Sequence, residues 1–261
     1  MIFDLSPRIQ ALILDMDGVL WKENTLLVDL PAVFTRIRAL ELKVVLATNN
    51  ATRSVEMYLA RFEGFGVQLE PWQVVNSAIA IGHLLRLRFP QGGPVYIVGE
   101  KGVTETLAQY GFVESDENPL AVVVGMDRQV NYDKLSKATL LIRAGVPFYA
   151  TNPDKTFPTP QGLIPGAGAI IAAVIAATDQ QPIWGGKPEP TMLQVALERL
   201  GTRAEHTLAV GDRLETDILG GYNAGCKTAL VLSGVATAAD LATFSLKPDL
   251  VAPDLAQLIG L

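Results

Sequence analysis

Residues 11–17 read ALILDMD. Four apolar residues in a row, then two acids flanking one methionine, describe a strand buried on both faces whose carboxyl end turns polar. Working outward, Pro31 opens a segment with Val33, Ile37 and Leu40 at helical spacing, and KVVLATNN (43–50) supplies a second buried strand. A helix over residues 54–62 ends at Gly64 and Gly66, and VVNS (74–77) reads as a third strand ahead of an apolar helix toward Phe89. Repetition of strand, helix and strand predicts a parallel sheet with crossover helices.

The pattern restarts at Gly92. PVYIVGE, AVVVGM and PFYATN are strand-like, and 103–109 and 132–142 are helical, which makes a second α/β module. The run GAGAIIAAVIAA (166–177) falls short of the roughly 20 residues that span a bilayer and is expected to be a buried helix. After QQPIWGGKPEP the first module resumes with a helix over 190–200, the strand HTLAVGD (206–212), a further helix and KTALVLSG (227–234). The expected fold class is α/β: a doubly wound, Rossmann-like parallel-sheet core over residues 1–79 and 183–261, with an α/β domain inserted over 80–182.

The chain has 261 residues, 49% hydrophobic and 18% charged, which suits one large or two small globular domains and excludes a disordered chain. Lys and Arg number 21 against 27 Asp and Glu, so a net charge of -6 leaves no basic field for nucleic acid or an anionic membrane. A single cysteine, Cys226, excludes an internal disulfide or a thiolate metal cluster. The start, MIFDLSPRIQ, lacks the basic and apolar regions of a secretory signal, so the expected location is cytoplasmic. Neither His83 nor His206 accompanies a nucleophile signature, which argues against triad chemistry, and His83 reads as a core residue.

Ligands of open parallel sheets gather at the carboxyl ends of strands, and the polar clusters fall there. Asp15 and Asp17 end the first strand, Thr48, Asn49 and Asn50 the second, and Asp212 the strand around Leu208, with Asp217 about one helical turn beyond and Lys187 on a loop. Carboxylates gathered in one place repel, and a hard divalent cation compensates them, which makes Mg²⁺ the implied cofactor. A cation held by few protein ligands, beside a hydroxyl, backbone amides and an ammonium, suits the oxygens of a phosphate. One carboxylate can attack phosphorus while an acid two residues away protonates the leaving oxygen and then activates water, roles that Asp15 and Asp17 fit.

The same residue types also have plain structural uses. Strand-end acids cap turns, Thr48 and Asn49 can cap the next helix, and Asn50 and Arg53 suit a helix start. GAGAII (166–171) lacks the third glycine and the preceding strand of a dinucleotide fingerprint. Leu232 stands where a cysteine phosphatase would place its arginine, so Cys226 reads as a small buried apolar group. Trp21 either lines the mouth of the site or packs beneath the inserted domain.

DMDGVL, ATNN, GGKPEP and GDRLETD resemble, in order, the four motifs of the haloacid dehalogenase superfamily. DGVLW, TNNATRS, VVVGMDRQVNYDKL, TNPDKTFP, PGAGAI and AGCKTALVLSGV resemble its NagD-like branch, whose members carry a large α/β cap and hydrolyse sugar phosphates, phosphoglycolate, nucleoside monophosphates, pyridoxal phosphate or p-nitrophenyl phosphate. The resemblance implies Asp15 as nucleophile, Asp17 as general acid and base, and Lys187 as the group that neutralises charge shared by Asp15 and phosphate. It implies Mg²⁺ held by the Asp15 and Asp212 side chains and the Asp17 carbonyl, with Asp217 acting through water. Thr48 would hold phosphate through its hydroxyl and Asn49 through its backbone amide, beside Gly18 and Asn50, while Asp127, Arg128 and Gln129 of the cap would read the leaving part of a small phosphorylated metabolite. Relatives of this branch pair through their caps, which makes a homodimer the expectation. Two other readings use the same residues: a signalling receiver phosphorylated on aspartate, and a phosphometabolite-binding protein without turnover. A dehalogenase would need no metal and would leave Asp17 and Asp212 unexplained.

Overall fold

The strand that opens the reading, Ala11–Leu14, lies inside a six-stranded sheet. In the computed structural model, which describes residues 1–159 and 161–261, the strand order is Leu250–Ala252, Lys227–Val231, Thr207–Gly211, Ala11–Leu14, Lys43–Thr48 and Val74–Asn76. Pairings from Leu250–Ala252 across to Lys43–Thr48 are all parallel, with Leu12 opposite Leu208 on one side and Val44 on the other. Ala11–Leu14 and Thr207–Gly211 are buried throughout, which is why their sequences run apolar without alternation. Chain order runs outward from Ala11–Leu14 through Lys43–Thr48 to Val74–Asn76, then resumes on the opposite side at Thr207–Gly211. This reversal is a topological switch point, where a crevice opens beyond the carboxyl ends of the strands. Asp15 and Asp212 are the residues that follow the two strands flanking it.

Helices cover the sheet for legible reasons. Leu30–Ala39 starts where the Asp29 side chain accepts the Ala32 N–H, carries Pro31 in its first turn, and buries Leu30, Val33, Phe34 and Ile37. Thr191–Leu200 buries Met192, Leu193, Val195, Ala196 and Leu200 and stops at Gly201, whose left-handed φ of 61° ends the helix.

A second, five-stranded sheet has the order Ile183–Trp184, Phe148–Ala150, Val122–Val124, Gly93–Val98 and Phe112–Glu114, again all parallel. Val123 packs with Ile81, Val95, Leu107 and Tyr149, whereas Val122 and Val124 pack with Ile142, Ile171 and Val174. The alternation of a strand thus feeds one apolar cluster on each face. Two antiparallel hairpins, Trp21–Lys22 with Thr25–Leu26 and Thr156–Thr159 with Gly162–Pro165, complete the strands.

The chain divides into two compact units, one of Met1–Thr48, Tyr58–Val75 and Lys187–Leu261, the other of Asn49–Met57 and Asn76–Gly186. These bounds lie a few residues from the expected 79/80 and 182/183, and they add 49–57 to the second unit. Within that unit the Asn49 carbonyl accepts Ser77 Oγ and Asn152 Nδ2 at 2.7 and 2.8 Å, and a Cβ on Gly102 would meet the Ala51 carbonyl at 2.4 Å.

Several expectations need correction. The strand expected over 11–17 ends at Leu14, because Asp15 to Gly18 leave the sheet in a turn, and the strand expected over 43–50 ends at Thr48. The apolar run at 166–177 does form a helix, Ala167–Thr178, but it is not buried: Ala167, Ile171, Val174 and Thr178 face the core, while Ala169, Ala172, Ala173, Ala176 and Ala177 are exposed. Alanine on the outer face hides the amphipathic pattern from a hydropathy reading. His83 is half-buried. Among the described residues, no helix is long and apolar enough to cross a membrane.

Candidate active site

Asp15, Asp212, Asp217 and Lys187, all in the first unit, meet beyond the switch point. Lys187, only 4% exposed, donates from Nζ to Asp15 Oδ1 at 2.7 Å, Asp217 Oδ1 at 2.5 Å and the Ala47 carbonyl at 2.9 Å. Asp217 Oδ2 accepts the backbone N–H groups of Asp212 and Arg213 at 3.2 and 3.0 Å. It does so from a π-helical turn, Leu214–Ile218, whose wider coil brings the carboxylate back against Gly211. A Cβ at Gly211 would lie 2.1 Å from that of Asp217, so the strand end must be glycine. Asp212 Oδ2 accepts the Val235 N–H at 2.7 Å.

Three buried carboxylates face one ammonium, so the cluster carries excess negative charge. Burial, reinforced by Asp217 and Asp212 and opposed by Lys187, holds the Asp15 carboxyl well above the usual carboxylate range. Burial works to lower the Lys187 pKa, and the facing Asp15 and Asp217 carboxylates more than reverse it, so the ammonium stays charged. Burial and the Asp217 charge raise Asp212 to about 7. One ligand oxygen from each of the three acids lies within 4.8 Å of the others, and Asp212 Oδ1 is buried with no hydrogen-bond partner among the described residues. An orphaned carboxylate oxygen in an all-oxygen, over-negative cluster fits a hard divalent cation.

The Asp212 shift has a sign that can be measured. An unfolded Asp titrates near 3.8, so between there and about 7 the folded chain holds a proton that the unfolded chain has released. Stability in a chelator is therefore expected to fall as pH rises through that window, and to fall less in Asp212→Asn. Urea titrations across the range test this; equal slopes in the two proteins would refute it. Saturating Mg²⁺ should flatten the wild-type profile, because the cation competes with the proton.

Asp17 follows one residue after Met16 in the turn, half-buried, and Trp21 Nε1 donates to its Oδ1 at 3.0 Å. Gly18 has a φ of +92°, and a Cβ there would sit 2.3 Å from Asp212 Oδ2, so only glycine allows the turn to pass this close to the acid. Ser233 Oγ donates to the Gly18 carbonyl at 2.8 Å. Thr48 is buried at the end of its strand.

Residues of the second unit are held by their own neighbours. Asn49 Nδ2 donates to Asp154 Oδ2 at 3.2 Å, and Asn50 Oδ1 accepts the N–H and hydroxyl of Thr52 at 3.1 and 2.7 Å, an arrangement that shapes the turn before a helix. Asp127 is buried, its Oδ1 on the Gln129 N–H at 2.8 Å and its Oδ2 on Lys134 Nζ at 2.6 Å. Arg128 makes a two-pronged pair with Glu100, both contacts at 2.8 Å, and Gln129 is exposed.

Two family models match the chain, one described as haloacid dehalogenase-like hydrolase over residues 12–113 and one as HAD-hydrolase-like over 184–258. A dihydroxyacetone phosphatase of Corynebacterium glutamicum is 35% identical over 244 residues, covering 94% of this chain and 88% of the relative. The chain belongs to the haloacid dehalogenase superfamily. Among solved structures of that superfamily, NagD from Escherichia coli K-12 superposes with a TM-score of 0.87 at 34% identity, covering 95% of this chain and 98% of that one. A glycerol phosphate phosphatase from Mycobacterium tuberculosis, solved in complex with magnesium, gives 0.89 at 33% identity, covering 96% and 76%. Within the superfamily the chain is a NagD-like phosphatase.

This haloacid dehalogenase-superfamily site also uses groups that motif reading passes over. Val235 N–H and the Ala47 carbonyl are backbone groups that no side-chain motif records. Ser233 lies on KTALVLSG, whose carboxyl end the strand-end rule would have flagged. Trp21 packs inside the first unit, its ring 4.9 Å from Phe62 and 6.2 Å from Phe65, rather than lining a mouth. Burial pushes the Cys226 thiol up to about 12, which keeps it protonated and unreactive.

Proposed function

We propose that the chain is a Mg²⁺-dependent phosphomonoesterase that hydrolyses a small phosphorylated metabolite through a phosphoryl group carried on Asp15. The observation that supports this most is the buried cluster of Asp15, Asp212 and Asp217 around Lys187, with one Asp212 oxygen left over for a cation. Asp15 and Asp212, with the Asp17 carbonyl, would hold Mg²⁺, and Asp217 would act on it through water. When bound, the ion supplies positive charge to Asp15 and to the phosphate oxygens. A free Asp15 oxygen attacks phosphorus as the bond to the ester oxygen breaks, and Asp17 gives its proton to that oxygen so that the alcohol leaves. Asp17 then takes a proton from water, which attacks phosphorus; the bond to Asp15 breaks and inorganic phosphate departs. Lys187 holds Asp15 Oδ1 throughout and offsets the charge gathered there, and the Thr48 hydroxyl donates to the phosphate.

The names of the two phosphatase relatives add dihydroxyacetone phosphate and glycerol phosphate to a panel of phosphoglycolate, other sugar phosphates, nucleoside monophosphates, pyridoxal phosphate and p-nitrophenyl phosphate. Phosphate release from this panel is the test. Turnover with Mg²⁺, its loss in a chelator and its return on adding the ion are expected. Binding of Mg²⁺ and phosphate without release from any ester would overturn the hydrolase reading and leave a binding protein or an aspartate-phosphorylated receiver.

A further inference from the structure

The residues that follow the strand Lys227–Val231 grip Asp212 and the turn after the first strand together. Leu232 N–H donates to the Ala252 carbonyl at 3.0 Å, which fixes where this loop begins. Further on, Val235 N–H donates to Asp212 Oδ2 at 2.7 Å and Ala236 N–H to the Asp212 carbonyl at 3.0 Å. Two glycines close on the same carboxylate oxygen: a Cβ on Gly234 would lie 2.0 Å from Asp212 Oδ2, and one on Gly18 2.3 Å from it. Among these backbone contacts stands one from a side chain, since the Ser233 hydroxyl reaches the Gly18 carbonyl at 2.8 Å. We infer that Ser233 is a positioning residue for the divalent cation, tying the loop that holds Asp212 to the turn that carries the Asp17 carbonyl and so setting the spacing of those two ligands.

Gly18 is the reason a hydroxyl matters here. With a φ of +92° and no side chain, its backbone is permissive, and the peptides on its two sides have to be held separately. The peptide before it is held by its own N–H, which donates to the Trp21 carbonyl at 2.7 Å; because a trans peptide sets C=O opposite N–H, this bond aims the Asp17 carbonyl. The peptide after it has its carbonyl on Ser233. A carbonyl only accepts, so the proton in that bond is the serine's, and alanine would remove the tie between turn and loop. The distance from the Asp17 carbonyl to Asp212 Oδ1 would then be set by backbone contacts alone. Mg²⁺ demands a near-octahedral arrangement at short distances, which makes its binding sensitive to that spacing. The inference rests on the Mg²⁺ site proposed above.

The test is to strip the full chain with a chelator and titrate it with magnesium chloride, reading the dissociation constant by calorimetry and the rise in Tm. Residues behind a metal's ligands carry about 10–100-fold of its affinity, and Ser233→Ala is expected to weaken Mg²⁺ binding about tenfold. In chelator the same variant is expected to melt within about 4 °C of wild type, the scale of one hydrogen bond in a chain of this size. Ser233→Thr keeps the hydroxyl and is expected to bind Mg²⁺ within about threefold of wild type, on the same scale. If Ser233→Ala fails to fold, Ser233→Cys, whose thiol has a similar shape and donates weakly, is read by the same criteria. Wild-type Mg²⁺ affinity in Ser233→Ala would make the hydrogen bond a matter of stability only and overturn the inference, as would an equal loss of affinity in Ser233→Ala and Ser233→Thr. A wild-type chain that shows neither heat nor a rise in Tm with Mg²⁺ would overturn the metal site and the inference with it.

Discussion

Asp15→Asn is expected to lower phosphate release from every ester by about 10⁴-fold or more, the scale on which removing a nucleophile acts. The amide has the size of the carboxylate and can still accept from Lys187 Nζ, so the cluster keeps its shape. It lacks the electron-rich oxygen that attacks phosphorus. In a chelator the variant is expected to melt no lower than wild type, because one of three crowded acids has lost its charge, and the burial and neighbouring carboxylates that lift the Asp15 carboxyl no longer act against one. Acid quenching of wild type during turnover with labelled substrate should trap phosphate on the protein, and the variant should trap none. Turnover within tenfold of wild type would remove Asp15 from the nucleophile's role.

Lys187→Met tests the opposite charge. Methionine is one atom shorter and fills nearly the same volume, but Asp15, Asp217 and the Ala47 carbonyl all lose a donor, and the buried acids lose the ammonium that faces them. Breaking a buried pair from one side costs about 3–5 kcal/mol, so the urea midpoint in chelator should drop clearly. Saturating Mg²⁺ should restore part of that stability by binding the folded chain, without restoring turnover, expected to stay down about 10²-fold or more. Unchanged stability in chelator would mean that Lys187 does not carry the charge balance assigned to it.

Much of the core was legible because its central strands lie deep in a parallel sheet. Ala11–Leu14, Lys43–Thr48 and Thr207–Gly211 show as unbroken apolar runs, and the acids that follow stand out against them. Leu250–Ala252 was not legible, since an edge strand of three residues with one exposed valine carries too little pattern. The Ala167–Thr178 helix misled in the other direction, alanine being equally at home on both of its faces. Spacing puts Asp217 about one helical turn beyond Asp212, and the π-helical turn explains how its Oδ2 returns to the Asp212 N–H. The contact of Trp21 with Asp17 was hidden for a similar reason: it depends on the positive φ of Gly18 and the hairpin that follows, neither of which spacing alone reveals.

The position of Ala11–Leu14 between Lys43–Thr48 and Thr207–Gly211 also bears on how the chain is made. On the ribosome its first neighbour emerges almost at once, whereas the second comes about 190 residues later, some 10–40 s at about 5–20 residues per second. Throughout that interval the nascent chain carries an apolar strand with one side unpaired, an edge open to other chains. The whole of the second unit can finish folding while the first waits for its last segment, Lys187–Leu261, which holds about half of its residues. That open edge therefore lasts through synthesis of residues 76–206, and any message truncated before Thr207 yields a polypeptide in which the acids of the active site never meet.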